Sequence, residues 1–477
     1  MVDASRLRTS LSPEPGSFRD WDGRVFSGRD RIYRALSSSG LADWEALAAT
    51  ELFKQYTASG ALVGTTSADG DVLEEVQRLD PQGGWVAALS HERLPFVSYP
   101  YEWSFSMLKD AALLQLELVS AALGEDLALK DATPYNVQWR GSQPVFVDIG
   151  SFERARPGEP WAGYRQFCML FLYPLMLEAY RGVAFQPWLR GSIDGITPTD
   201  FRALFSRRDS FRRGMLRHVF LHASLERRYA SRGAEVRDDL ERAGFDRRVI
   251  EASVANLRKV IDGLAPASAD STWRGYDTTC SYDEQETAAK EHFVRRVASS
   301  THRRLVWDLG CNEGHYSRIA AAKADLVVAA DGDRVVVDVL YRGLKADGER
   351  GILPLVVDLG NPSPAIGWDN MERKTLLERG RPELTLCLAL VHHLSISGNV
   401  PLREFVRWLR ELDSEVVVEF PHRDDPMVQR LLGSKRADAH PDYSLETFDE
   451  ILRTRFRVVE SLELPSGTRT LYHGLPE

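Results

Sequence analysis

The sequence is poor in cysteine, with four among its 477 residues. Cys168, Cys280, Cys311 and Cys387 form no Cys-x-x-Cys pair, and their spacing suits neither a zinc site nor a disulfide framework. We therefore expect no metal-binding set of residues and no fold that depends on disulfide bonds.

The chain also lacks a long hydrophobic run. Its first residues, MVDASRLRTSLSPEPG, contain no apolar segment of the kind that secretory signals carry. The longest apolar run, residues 167–177, includes Tyr173 and Pro174 and is too short to cross a bilayer. These absences predict a protein without a membrane partner and, by elimination, a cytoplasmic location.

Clusters of basic residues are scarce as well. Lysine and arginine number 60 against 69 aspartate and glutamate residues, which gives a net charge of −9. The arginine pairs at 207–208, 212–213 and 227–228 are scattered through helical-looking sequence, which is typical of solvated helix faces rather than of a polyanion site. We therefore expect a small-molecule substrate and no nucleic-acid partner, and a homo-oligomer stays open.

Length and composition divide the chain into parts. A chain of this length predicts two or three domains. Residues 1–18 are polar and predict a flexible N-terminal arm, whereas residues 19–265 mix short strands with helices and indicate an α+β domain. Within this domain the pattern predicts helices over 43–57 and 110–123, a hairpin of residues 136–139 and 145–148, and a mostly helical region over 162–262. The segment at 264–273, LAPASADSTW, is small and polar and contains proline, as linkers do. Residues 266–477 then form the last domain.

In the last domain, short apolar runs alternate with helical stretches. This alternation predicts a doubly wound α/β fold with a mostly parallel sheet that is covered on both faces. The last two runs are joined by a short turn at 465–467 and predict an antiparallel hairpin. The predicted strands are residues 305–309, 326–330, 352–357, 384–390, 416–419, 456–464 and 469–473.

The first of these strands leads into a glycine-rich turn, LVWDLGCNEGHYS at 305–317. Asp308, Gly310 and Gly314 form the pattern D-x-G-x-x-x-G, with Asn312 where a middle glycine often stands, and this spacing differs from the G-x-G-x-x-G of dinucleotide-binding folds. Glycine lets a ligand approach the backbone, and the leading carboxylate suits a ligand that carries an ammonium group.

This pattern resembles the first motif of class I S-adenosylmethionine (SAM)-dependent methyltransferases. The resemblance implies a Rossmann-like, seven-stranded sheet, SAM as the cofactor and S-adenosylhomocysteine (SAH) as its product. It also implies that Asp331, which follows the second strand, accepts hydrogen bonds from the ribose hydroxyls, with Asp333 as a rival. Asp358, after the third strand, is then the partner of the adenine amino group.

Two more segments fit the same resemblance. Residues 384–394, LTLCLALVHHL, are similar to the fourth-strand motif, which places Leu390 against the cofactor. The segment WRGYDTTCSYDEQETAAK, before the first strand, is of the kind that folds over the cofactor in similar enzymes. It makes Tyr276, Tyr282 and Lys290 candidate contacts. The alternative is that the tyrosines pack and that Lys290 is solvated on a helix.

Candidates for catalysis follow the fourth and fifth predicted strands. His392 and His393 could supply a base that deprotonates a hydroxyl or an amine, with His393 preferred. The alternative is that one histidine packs or shapes the loop. Glu419 lies at the predicted rim, where it could orient a polar substrate or the base, or simply cap a loop. No N-P-P-Y-type tetrad and no suitably placed cysteine nucleophile are present, which favours O- or N-methylation of a small molecule.

The first domain carries a different set of polar residues. Asp131 and Asn136 in LKDATPYN are followed by Asp148 in an Asp-Ile-Gly turn. This arrangement resembles the catalytic loop and metal-binding turn of kinases and aminoglycoside-phosphotransferase-like proteins. It implies a nucleotide site, with Mg-ATP required only if the domain is active. No glycine-rich loop and no V-A-I-K lysine are found, so we expect a kinase-like fold without phosphotransfer. The alternative for Asp131 and Asn136 is turn chemistry around Pro134.

A chain that combines the LKDATPYN segment with the methyltransferase pattern resembles a bacterial group of nodulation-protein-related methyltransferases. This resemblance extends over most of the chain. We therefore expect a SAM-dependent methyltransferase that acts on an O or N nucleophile of a small molecule, with the first domain assisting substrate recognition. Two alternatives stay open: a bifunctional kinase-methyltransferase that uses Mg-ATP, and a first domain that is a non-enzymatic assembly or docking module.

Overall fold

The computed structural model describes residues 11–224, 246–267, 284–436 and 439–477. A five-stranded antiparallel sheet lies near the N-terminus, and a seven-stranded, mostly parallel sheet lies toward the C-terminus. We call residues 11–267 the first half and residues 284–477 the second half. Within the ranges that the structure describes, no helix has both the length and the apolar character needed to cross a bilayer.

The strands of the first sheet are β1 (Ser12–Pro13), β2 (Gly23–Ser27), β3 (Arg31–Leu36), β4 (Thr65–Ser67) and β5 (Ala87–Glu92). Their order is β1-β2-β3-β5-β4. The prediction of a flexible arm is wrong for residues 11–18, because β1 pairs with β2 and Leu11 is buried in the same apolar cluster as Phe26. Burial of Leu11 and the pairing with β2 together hold this short strand on the sheet.

The single helix predicted over residues 43–57 is two helices, Ser38–Ala48 and Glu51–Ser59. The break lies at Thr50, whose backbone is extended and whose hydroxyl accepts a hydrogen bond from the backbone N–H of Phe53, as an N-cap does. A further helix, Gly70–Leu79, was not predicted. Its apolar residues recur at helical spacing, so the signal was present in the sequence.

The long apolar helix predicted at 110–123 begins earlier and spans Phe105–Gly124, because the Ser104 hydroxyl accepts from the Met107 N–H and caps its first turn. Four short strands follow, β6 (Leu127–Leu129), β7 (Val137–Arg140), β8 (Gln143–Phe146) and β9 (Phe152–Arg154). Strands β7 and β8 form the predicted hairpin, and β6 pairs with β9.

The rest of the first half is helical, as predicted for residues 162–262. The helices in the described part are Tyr164–Phe167, the π-helix Cys168–Leu172, Tyr173–Arg181, Gln186–Gly191, Pro198–Ala203, the 3-10 helix Arg207–Phe211, the π-helix Leu216–Leu221 and Arg247–Asp262.

The second sheet confirms the predicted alternation of strands and helices. Its strands are β10 (Arg303–Leu309), β11 (Ala324–Asp331), β12 (Ile352–Val356), β13 (Leu384–Cys387), β14 (Glu415–Pro421), β15 (Phe456–Glu463) and β16 (Arg469–Pro476). The order is β12-β11-β10-β13-β14-β16-β15. Strands β10 to β14 are parallel, and β16 is antiparallel to both of its neighbours.

The two faces of this sheet are covered by different parts of the chain. Its helices are Glu284–Ala298, His315–Ala321, Arg334–Asp347, Leu402–Glu411, Pro426–Leu432 and Leu445–Arg453. In β10, Leu305 and Trp307 belong to the large apolar core that also contains the first half, whereas Val306 packs with the helix Glu284–Ala298. Alternate residues of a strand point to opposite faces, so the first half covers one face of the sheet.

A buried carboxylate joins the two halves. Glu102 in the first half is 1% exposed and forms two hydrogen bonds with Arg379, which is fully buried: Nη1 lies 2.6 Å from Oε2, and Nη2 lies 2.5 Å from Oε1. The hydroxyl of Ser363 and the backbone N–H of Tyr99 also donate to this carboxylate. Close by, the ring of Tyr341 meets the edge of Trp139 at a centroid distance of 5.5 Å.

Replacing Arg379 with methionine leaves the Glu102 carboxylate buried without a cation. We expect the free energy of unfolding to fall by about 3–5 kcal/mol, measured by urea denaturation of the full chain. The control is Arg453→Met, which removes an exposed ion pair with Asp449 and is expected to cost less than about 1 kcal/mol. Equal effects of the two substitutions would contradict a stabilising role for the buried pair.

Candidate active site

A cavity of about 630 Å³ lies at the carboxyl edge of the second sheet, where the turns after β10, β11, β12 and β13 meet. Carboxyl ends of parallel strands collect at one edge, and open α/β sheets bind ligands there. Predicted site residues that border the cavity are Lys290, Asp308, Gly310, Asn312, Asp331, Asp358, Leu390 and His393. Asp333, the predicted rival of Asp331, borders it too.

The glycine-rich turn after β10 depends on left-handed backbone conformations. Gly310, Asn312 and Gly314 have φ values of +78°, +48° and +81°. The N–H groups of Gly310 and Cys311 both donate to the carbonyl of Ala330 at the end of β11, at 2.8 and 3.1 Å. The turn is therefore held against the neighbouring strand, and its backbone forms part of the cavity wall.

Three carboxylates lie around the cavity in different environments. Asp308 is buried and accepts a hydrogen bond of 2.6 Å from the Ser317 hydroxyl, and burial raises its pKa to about 6. Asp331 accepts from the backbone N–H groups of Asn312 and Asp333 at 3.0 and 2.9 Å, and burial raises its pKa as well. Asp358 is exposed and accepts from the Gly360 N–H.

A buried chain of opposite charges runs from Lys290, which borders the cavity, to residues beneath it. Lys290 Nζ lies 2.7 Å from one oxygen of Glu419, and Arg469 Nη1 lies 3.0 Å from the other. Arg469 Nε donates to Asp425 at 2.7 Å. The side chains of all four residues are at most 4% exposed. Burial of these charges is tolerable because each one has a partner of opposite sign. Lys290 is thus not a solvated helix residue.

Glu419 was predicted at the rim, and this prediction is wrong because the side chain is fully buried and does not border the cavity. Its Oε2 accepts from the backbone N–H of Ala389 at 2.9 Å. Ala389 borders the cavity and has a φ of +50°, a strained conformation for a residue with a side chain. Glu419 therefore influences the cavity by fixing the backbone after β13, not by contact with a ligand.

The two histidines after β13 have different positions. His393 borders the cavity, and burial together with the charge of Arg469 lowers its pKa to about 4. It is therefore neutral at pH 7 and able to accept a proton. His392 is fully buried behind it, with ring centroids 4.0 Å apart, and does not border the cavity. The buried position of His392 does not support its predicted catalytic role, and it is in keeping with the alternative that one histidine packs.

Arg469 and Asp425 were not among the predicted site residues. Arg469 begins β16 and lies opposite Pro421 in the antiparallel pairing with β14, next to the end of the strand that carries Glu419. An arginine at the start of a predicted hairpin strand was the available signal, but the pairing of that strand with β14 could not be predicted. Tyr276 and Tyr282 lie outside the described residues.

Of the predicted polar residues in the first half, Asp131, Asn136 and Asp148 border neither this cavity nor the smaller one near Arg34. Both oxygens of Asp148 are engaged: Arg34 donates to one at 2.6 Å and Ser151 to the other at 2.7 Å, and Asn136 donates to Ser151. The adjacent cavity, which Arg34 and Lys130 border, measures about 10 Å³. This volume holds about one water molecule, whereas ligand pockets measure roughly 300–1,000 Å³.

Asp131 is separate from this cluster of hydrogen bonds. Burial raises the pKa of its carboxyl group, and its backbone carbonyl accepts from the Gln115 amide at 3.0 Å. The small cavity nearby is too small for a nucleotide, and Asp131, Asn136 and Asp148 do not border it. Throughout the described ranges, no three His, Cys, Asp or Glu side chains are placed to hold a metal ion.

Comparison with known proteins places the whole chain in one family. No protein-family model matches it. The nodulation protein NoeA of Rhizobium meliloti strain 1021 is 34% identical over 472 residues, which are 97% of this chain and 97% of that protein. The chain belongs to the NoeA family. The similarity extends over both halves of this chain.

Solved structures resemble this NoeA-family chain more weakly. The N-methyltransferase NodS from Bradyrhizobium japonicum WM9 matches 41% of the chain and 99% of its own length, with 13% identity and a TM-score of 0.31. The bifunctional kinase-methyltransferase WbdD matches 42% of the chain and 41% of its own length, with 17% identity and a TM-score of 0.29. Similarities of this size decide neither a common fold nor a common activity.

A substitution at Gly314 tests how much the glycine-rich turn after β10 contributes to stability. A Cβ on this residue would lie 2.5 Å from Leu340 Cδ1, and its φ of +81° disfavours a side chain. We expect Gly314→Ala to lower the free energy of unfolding by about 2–5 kcal/mol, from backbone strain plus overpacking. The control is Gly348→Ala, at a φ of +68° with no heavy atom within 4 Å of the new Cβ. It is expected to cost about 1–2 kcal/mol in the same urea titration, and equal losses would contradict the packing argument.

Proposed function

We propose that this NoeA-family protein is a SAM-dependent methyltransferase whose cofactor occupies the cavity at the carboxyl edge of the second sheet. The observation that carries the proposal is the position of three carboxylates, Asp308, Asp331 and Asp358, at the ends of three adjacent parallel strands around one cavity. A class I methyltransferase uses carboxylates in this order for the amino-acid end, the ribose and the adenine of the cofactor.

The charge of the cavity favours SAM over a dinucleotide. Three carboxylates with Asp333 beside them repel a pyrophosphate, whereas SAM carries a sulfonium and an ammonium group that they attract. The glycine-rich turn lets the amino-acid portion of the ligand approach the backbone of Gly310 closely, because no Cβ stands in the way.

When bound, SAM supplies an activated methyl group, and the chain must position the acceptor and take its proton. His393 is the residue that we assign to this second task, because it borders the cavity and is neutral at pH 7. The His393 ring would accept the proton that the acceptor's oxygen or nitrogen loses as it bonds to the methyl carbon and the carbon–sulfur bond breaks with its electron pair kept by sulfur. Because the pKa of His393 is lowered to about 4, the ring is a weak base and would take this proton only as the new bond makes it acidic.

That the acceptor is a small molecule stays a prediction from the sequence, because the cavity described here is the one that we assign to the cofactor. The alternative of a bifunctional enzyme is not favoured, since Arg34 and Ser151 occupy the carboxylate of Asp148 and the cavity beside it is too small for Mg-ATP. The kinase-like identity of the first half, the domain division at 265–266 and the docking-module alternative stay predictions.

Binding of SAH to the full chain tests the proposal directly. Isothermal titration calorimetry is expected to show one site in the wild type. Asp331→Ala is expected to weaken binding about tenfold or more, because a charged hydrogen-bond acceptor is lost. Asp325→Ala is the matched control, since Asp325 lies at the opposite end of β11 and is exposed, and it should bind as the wild type does. No binding by the wild type, or unchanged binding after Asp331→Ala, would overturn the proposal.

The raised pKa of Asp308 predicts how SAH affinity depends on pH. With a pKa of about 6, the carboxyl group of the free protein is mostly protonated at pH 5 and mostly ionised at pH 7. Only the ionised form attracts the ammonium group, so affinity should fall by about tenfold from pH 7 to pH 5. Asp308→Asn keeps an acceptor for Ser317 and should remove this dependence. A wild-type dissociation constant that is flat over this range would contradict the prediction.

A further inference from the structure

The first half holds the loop that follows β12. Arg190, in the helix Gln186–Gly191, donates three hydrogen bonds to this loop: to the carbonyl and the side-chain oxygen of Asn361 at 2.9 and 3.0 Å, and to the carbonyl of Pro362 at 2.9 Å. The N–H of Asn361 in turn donates to the carbonyl of Asp358 at 3.0 Å. One residue further on, Ser363 donates to Glu102.

The first half also contacts the helix that follows β11. Arg334 at the start of this helix lies 3.3 Å from Glu178 Oε1 and donates to the carbonyl of Gly182. One turn later, Asp338 accepts from the backbone N–H of Ser106 at 2.8 Å. Arg334 directly follows Asp333, whose side chain caps the helix by accepting from the Val335 N–H.

These contacts converge on one end of the cavity. Among the described residues, those that border the cavity all belong to the second half. Two of the segments that border it nevertheless form hydrogen bonds with the first half. They are the start of the helix after β11, next to Asp331 and Asp333, and the loop after β12, which carries Asp358.

We infer that Arg190 is a positioning residue for the adenosine end of the cofactor, and that the first half serves to hold the loops after β11 and β12 in the geometry that binds adenosine. This inference rests on the proposed function, because that function places adenosine between Asp331 and Asp358. It gives the first half a role in cofactor binding that requires no catalytic group of its own.

The physical reason is conformational entropy. Asp358, Gly360 and Asn361 are exposed, and ordering a residue on binding costs about 1–2 kcal/mol. A loop that is already held does not incur this cost when the ligand arrives. Arg190 suits the task because its planar guanidinium presents several donors in a fixed arrangement.

The test compares Arg190→Met with Arg190→Lys and Arg181→Met in the full chain. Arg190→Met removes the three donors and keeps most of the aliphatic stem. Arg190→Lys restores one donor group. Arg181 is the matched control, because its hydrogen bonds to Asp209 and to the carbonyl of Leu204 stay within the first half. The measurements are SAH affinity by calorimetry and hydrogen–deuterium exchange of peptides that span residues 353–366.

Arg190→Met is expected to raise the dissociation constant of SAH about fivefold or more and to speed exchange in residues 353–366 of the free protein. Arg190→Lys should lie between Arg190→Met and the wild type, and Arg181→Met should match the wild type in both measurements. If Arg190→Met binds SAH as tightly as the wild type, or if its loop exchanges at the wild-type rate, the inference is overturned. A wild type that fails to bind SAH overturns instead the proposed function on which the inference rests.

Discussion

The interface between the two halves depends on one buried carboxylate, that of Glu102. Glu102 has almost no contact with solvent, so its charge is stable only while Arg379, Ser363 and the Tyr99 N–H donate to it together. Because these donors come from both halves, neither half satisfies the carboxylate alone. The segment from Ser363 to Arg379 is thereby tied down, and so is the end of the cavity-forming loop that precedes it.

The candidate site contains two groups of residues. One group faces the cavity, and the other supports it from beneath. Asp308, Asp331 and Asp358 have oxygens at or near the cavity, whereas Glu419, Arg469 and Asp425 are buried beneath it. The buried group fixes the left-handed backbone of Ala389, and the first half fixes the loop near Asp358. A cavity wall built mainly of turns thus gains its rigidity from charged side chains that a bound ligand does not touch.

The parts that could be predicted from the sequence are those whose signals are local. The strands of the second sheet and the turn around Gly310 and Gly314 follow from apolar runs, glycine spacing and acidic residues at strand ends, all within short stretches. The positions of Asp331 and Asp358 at the same edge then follow from parallel topology, since equivalent ends of parallel strands are neighbours. The helix break at Thr50 also had a local signal, a capping residue.

What could not be predicted depends on pairing across long separations. Arg469 reaches Glu419 across 50 residues, Arg34 reaches Asp148 across 114, and Arg379 reaches Glu102 across 277. With 60 basic and 69 acidic residues, the sequence permits very many such pairs and does not rank them. The difference between His392 and His393 was hidden for another reason, because consecutive residues after a strand point in directions that only the following turn decides.

The long separation between Glu102 and Arg379 has a consequence during synthesis. Glu102 leaves the ribosome 277 residues before its partner, which at typical translation rates is a delay of about 15 to 55 s. Throughout that interval Arg379 is not available to pair with the Glu102 carboxylate, and we expect this carboxylate to stay hydrated. The surface of the nascent first half that later contacts the second half therefore stays exposed, and Trp139 is not yet covered by Tyr341. For this chain, the surface left uncovered during translation is the one that later supports the loops after β11 and β12.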